Sequence, residues 1–83
     1  MPTIHFPLNT EKSIRMMESQ NTLTFVVDRK ANKLQIKAAI EEQLGAKVKA
    51  VRTNTLLGGE KRAYVRFHTE TPAIDIATKL GMI

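Results

Sequence analysis

Between Lys47 and Phe67 the chain reads as two strands joined at Gly58-Gly59, and a hairpin of this kind dictates what the remaining residues have to cover. In its second strand Ala63, Val65 and Phe67 alternate with Arg62, Tyr64, Arg66 and His68. Successive side chains of a strand point to opposite faces, so the first set seeks a core and the second seeks a surface. In its first strand Arg52 and Asn54 alternate in the same way with Val51, Thr53 and Thr55. One face of the hairpin is therefore apolar. The other is basic and aromatic, which the hydrophobic effect alone would not select. The stretch holds Lys47, Lys49, Arg52, Lys61, Arg62 and Arg66 against Glu60 alone, a local excess of +5 that equals the net charge of the whole 83-residue chain. Outside it, seven basic and seven acidic residues cancel. Charge concentrated like this is an electrostatic footprint for a polyanion.

The flanking sequence supplies the elements that bury the apolar face. Thr3 to Phe6, ended by Pro7, reads as an edge strand. Thr10 is placed to cap a short helix from Glu11 to Glu18, with Ile14 and Met17 as a thin apolar face. Asn21 opens a strand, NTLTFVVD, that tolerates burial on both faces and reads as central. Asn32, with Gln35 three residues on, forms a capping box for a helix whose stripe is Ile36, Ala39, Ile40 and Leu44. Gly45 ends that helix, and the Lys37–Glu41 spacing allows a surface ion pair. Thr71 as cap and Pro72 in the first turn open a last helix with Ala73, Ile76, Ala77 and Leu80 inward, after which Gly81 lets Met82-Ile83 return to the core. The order (β)αβαββα predicts an α+β fold: a ferredoxin-like two-layer sandwich, an antiparallel sheet with helices on one face and the other face open.

Length and hydrophobic content of 42% suit one small domain spanning residues 1–83. The absence of cysteine excludes disulfides and thiolate metal sites. No signal peptide or membrane-length apolar run is evident, so the expectation is a soluble cytosolic protein without membrane insertion. His5 and His68 are far apart, Gly58-Gly59 lacks a phosphate-loop context, and no nucleophile or acid–base constellation occurs. Neither an enzyme nor a cofactor is expected. Met16-Met17 reads as core filler.

The candidate site is thus an RNA-binding one. Arg52, Lys61, Arg62 and Arg66 are placed to neutralise phosphates, while Asn54, Thr55 and Tyr64 fix position, because guanidinium groups fork onto phosphate oxygens and aromatic planes stack on bases. Lys12, Arg29, Lys30 and Lys33 add charge from loops at helix starts. Binding of RNA shape, without catalysis, is the expected mechanism.

Several segments together look familiar: Pro7 with Thr10-Glu11-Lys12-Ser13; TLTFVVD; Ala31-Asn32-Lys33 with Ile36-Lys37-Ala38-Ala39; Lys47-Val48-Lys49-Ala50-Val51 with Thr53; and Lys61-Arg62-Ala63-Tyr64-Val65-Arg66. In this order they resemble the large-subunit ribosomal protein family numbered twenty-three, in its short archaeal form, over nearly the whole chain. Phe67 and His68 depart from that family's last run, where leucine and a small polar residue are usual. The resemblance implies a structural constituent of the cytoplasmic ribosome, bound to large-subunit rRNA beside the peptide exit tunnel. Its implied partners are neighbouring large-subunit proteins and, through Glu11, the signal recognition particle or a nascent-chain chaperone. With its turn at Leu57-Gly58-Gly59-Glu60, this hairpin is expected to line the rim of the exit and not the tunnel wall.

The competing classes are a free RNA-recognition-motif domain, a ferredoxin-like protein-interaction module without RNA, and a small enzyme. Ala63-Tyr64-Val65-Arg66-Phe67 fits half of the recognition-motif strand pattern, but Arg62 stands at its other stacking position.

Overall fold

Residues 3–81 are described in a computed structural model of the protein. The elements are β1 (Ile4–Pro7), α1 (Glu11–Gln20), β2 (Thr22–Val27), α2 (Lys33–Leu44), β3 (Val48–Thr55), β4 (Lys61–Phe67) and α3 (Ala73–Lys79). All strand pairs are antiparallel, in the order β1-β2-β4-β3. β4 is inserted between β2 and β3, which are joined through α2; this split β-α-β unit marks the ferredoxin-like α+β sandwich.

The alternation along β4 decides which face is covered. Ala63, Val65 and Phe67 are buried together with Leu23, Phe25 and Val27 of β2, Ile36 and Ile40 of α2, and Ala73, Ile76 and Ala77 of α3. Leu44 and Leu80 are partly buried against this core. Sheet irregularities keep both edge strands in phase with it. Between Val48 and Ala50 the β3–β4 register gains one residue, so Val48 and Val51 both pack inward while Lys49 and Ala50 are exposed. A matching irregularity between Ile4 and Phe6 leaves His5 exposed.

Helix ends follow local chemistry in two cases and tertiary chemistry in the third. Thr10 and Asn32 form capping boxes, with Ser13 and Gln35 as the reciprocal partners. Gly45, at φ 63°, ends α2 in the left-handed conformation. The expected cap at Thr71 is not what starts α3: Pro72 holds the cap position without a side-chain bond. Its first amide, Ala73 N–H, donates instead to Asn21 Oδ1 at 2.6 Å. Nor does Asn21 open β2. It ends α1 at φ 53°, and its side-chain nitrogen donates to the carbonyls of Phe67, His68 and Thr71 at 3.1–3.2 Å. Asparagine tolerates the left-handed region that most residues avoid, so one residue both turns the chain and ties three segments.

Two smaller expectations are also revised. Glu41 does not pair with Lys37; its carboxylate accepts the Val48 amide at 3.2 Å and so ties α2 to the start of β3. On α1 the inward residues are Ser13 and Met17, whereas Ile14 is exposed. The return of Met82-Ile83 lies outside the described residues.

Candidate nucleic-acid interface

Antiparallel register builds the basic face row by row. Arg52, Tyr64 and Thr24 lie side by side across β3, β4 and β2; Asn54, Arg62 and Val26 form the row on one side, and Ala50, Arg66 and Thr22 the row on the other. Directly paired residues share a face, so Arg52, Asn54, Arg62, Tyr64 and Arg66 come together as expected. The expectation of a fully open face needs revision. Thr22, Thr24 and Val26 are buried although they point away from the core. β1 pairs only with the Phe25–Val27 end of β2, and α1 lies along the remainder of that edge and overhangs it.

Lys12, Met16 and Gln20 form the overhanging side. With Arg52, Asn54 and Tyr64 they line a surface groove of about 450 Å³. Of these, Lys12 is expected at the site from the sequence, whereas Met16, which reads there as core filler, and Gln20 are not. The available signal was spacing: positions i, i+4 and i+8 lie on one face of a helix, distinct from the face that carries Ser13 and Met17.

The arginines differ in availability. Arg52 and Arg66 are exposed and carry no ion pair among the described residues. Arg62 is half-buried and donates from Nε to Glu60 Oε2 at 2.9 Å. Glu60 therefore holds part of the positive charge back from a polyanion. Replacing Glu60 by glutamine is expected to tighten RNA binding by a few-fold at low salt, since a partly exposed pair couples by about 0–1 kcal/mol. Titration of the variant and parent side by side checks this, and an unchanged affinity would show that the pair with Glu60 withholds nothing from the RNA.

Other expected site residues fall elsewhere. Thr55 and Lys61 are paired across the hairpin but share the parity of Thr53 and Ala63, on the helix side of the sheet. The Lys61 ammonium donates to the Ala31 carbonyl, so it fastens the β2–α2 connection to β4. Arg29 leans over the hairpin turn, where a Cβ on Gly59 would meet its guanidinium carbon at 3.0 Å. Arg29 and Lys30 leave β2, and Lys33 begins α2, at this end of the sheet. The turn closes with Gly59 N–H on the Leu56 carbonyl and Gly58 at φ 94°, a conformation suited to glycine. Glu11 is exposed in the first turn of α1 and pairs with Arg15 at 3.2 Å.

Among the described residues no cluster of His, Asp or Glu could hold a metal ion, and no helix is long and apolar enough to cross a membrane. Fold and site together define a small basic α+β protein whose surface chemistry suits a polyanion. The family model described as Ribosomal protein L23 matches residues 3–78. A protein of Trypanosoma brucei brucei named Large ribosomal subunit protein uL23 is 44% identical over 82 residues, which cover 96% of this chain and 49% of that protein. The chain belongs to the Ribosomal protein L23 family. It spans about half the length of this relative. The family is one of structural ribosomal proteins and not of enzymes.

Proposed function

We propose that residues 1–83 act as one rRNA-binding domain, a constituent of the large subunit of the cytoplasmic ribosome held by its sheet face. The observation that carries this reading is the row geometry: Arg52, Arg62 and Arg66 around Tyr64, beside the groove under α1, in a chain of this family. Three guanidinium groups on a rigid sheet match several phosphates at fixed spacing, and such contacts position a protein on folded RNA. Arg29, Lys30, Lys33 and Lys61 form a second basic group at the end of the sheet and extend the footprint to a neighbouring backbone segment.

The short hairpin, closed over Leu56 to Glu60, supports the compact archaeal-type form and a place at the rim of the peptide exit. Docking of nascent-chain factors such as the signal recognition particle, or of neighbouring ribosomal proteins, belongs to surfaces of α1 and α3 outside the arginine rows. Glu11 is exposed at the start of α1, and elsewhere α1 and α3 leave a crevice of about 410 Å³ walled by Leu8, Ile14, Met17 and Ile74.

Binding of the purified protein to large-subunit rRNA and to an unrelated structured RNA, across a salt series, tests the proposal. Preference for the first is expected, with an affinity that falls steeply as salt rises, by about 0.7–0.9 log units per phosphate contact per log unit of salt. Equal, weak binding to both RNAs would leave only a generic basic domain.

A further inference from the structure

We infer that the groove between α1 and the sheet takes an unpaired nucleotide, its base laid against the ring of Tyr64. This inference rests on the rRNA-binding reading and deepens it, from contact with phosphates to capture of a base. Tyr64 lines two neighbouring depressions: the groove of about 450 Å³ on the Lys12–Met16 side, and one of about 270 Å³ that it shares with Gln20, Arg52 and Arg66. A phosphate-only surface needs neither depression. Flat cationic rows would serve it equally well.

The chemistry of the walls is that of a base site. Tyr64 offers an aromatic plane, and Met16 opposite it is a polarizable thioether that packs well on such planes. Gln20 and Asn54 each carry a donor and an acceptor, the pair needed to meet the edge of a base. Lys12 and Arg52 line the groove and Arg66 lines the adjoining depression, so cations are at hand for the flanking phosphates of an extruded nucleotide.

A second, independent feature lies beneath. The Thr24 hydroxyl is buried, with the residue only 3% exposed, and has no hydrogen-bond partner among the described residues. Thr24 contributes to a small pit together with Lys12, Met16 and Tyr64, so the pit adjoins the groove through shared walls. Unsatisfied buried hydroxyls are rare because each forfeits its bond to water. The pit, of about 20 Å³, has room for a single water, and such a water joins this hydroxyl to the edge of a seated base.

Tyr64 is the only tyrosine and the chain has no tryptophan, so intrinsic emission reports this groove directly. The experiment titrates the whole chain with a labelled single-stranded oligoadenylate and with a blunt RNA duplex. It follows binding by anisotropy of the label and stacking by tyrosine emission. Saturable quenching by the single strand but not by the duplex is the expected result. Tyr64→Leu should then weaken single-strand binding about tenfold or more, and by more than it weakens duplex binding, and Tyr64→Phe should recover what leucine loses, since a base stacked on an aromatic ring contributes roughly 1–3 kcal/mol. The parent protein's emission needs no variant, so a folding defect in Tyr64→Leu does not decide the matter. Saturated binding of both RNAs without quenching overturns the base site and leaves the phosphate-binding surface standing. Binding to neither RNA, nor to large-subunit rRNA, overturns the rRNA-binding reading itself.

Discussion

Replacing Asn21 by alanine is expected to lower the stability of this protein by about 3 kcal/mol. Alanine at a left-handed position costs about 1–2 kcal/mol, and loss of a helix cap about 1 kcal/mol more. The donor bonds to Phe67, His68 and Thr71 go with the side chain, and those carbonyls are only partly re-solvated. In a domain of this size such a loss corresponds to a drop in melting temperature of roughly 10–20 °C. Two further variants separate the causes. Asn21→Gly keeps the backbone conformation and should recover part of the loss, leaving the side-chain bonds as the remainder. Asn21→Asp keeps the acceptor for Ala73 N–H but sets a carboxylate against three carbonyl oxygens, so it should be less stable than the glycine variant near neutral pH. Thermal or urea unfolding of the three proteins measures this series. A glycine variant as stable as the parent would show that the bonds across α1, β4 and α3 contribute nothing.

Exchange of Arg62 and Arg66 together for glutamine should weaken rRNA binding by about tenfold to a hundredfold at moderate salt, since hydrogen bonds to charged groups contribute roughly 1.5–3 kcal/mol each before screening. The dependence on salt should flatten by about 1.5 log units for two lost phosphate contacts. Both side chains point away from the core, and Arg66 is exposed, so melting temperature should change little. Lys61→Gln provides the contrast. Its ammonium is bonded to the Ala31 carbonyl on the other side of the sheet, so its removal should cost stability more than affinity. Equal loss of affinity from the double variant and from Lys61→Gln would move the main contact to the end of the sheet.

The distinction between Arg66 and Lys61 shows where reading the chain alone reaches its limit. Period-2 alternation correctly separates Arg62, Tyr64 and Arg66 from Ala63, Val65 and Phe67, because adjacent strand residues cannot share a face. The same rule sets Lys61 apart from the arginines, yet a run of basic residues invites treating all of them as one site. Thr55 invites grouping with Asn54 for a similar reason. Capping boxes at Thr10 and Asn32 were legible because both partners lie within three residues of one another. The cap of α3 was not, because its acceptor comes from Asn21, 52 positions earlier.

From sequence alone follow the order of elements, the inward-facing sets of β2, β4 and α2, the location of the excess charge and the family. These depend on local periodicity and on motifs within short windows. Only the tertiary structure decided that α1 would lie along the exposed edge of β2, that Met16 would face the sheet while Met17 enters the core, and that a groove rather than a flat face would adjoin Tyr64. The physical reason is that β1 pairs with just part of β2. The unpaired edge that remains has to be covered, and the nearest element able to bury it is the helix that β1 leads into.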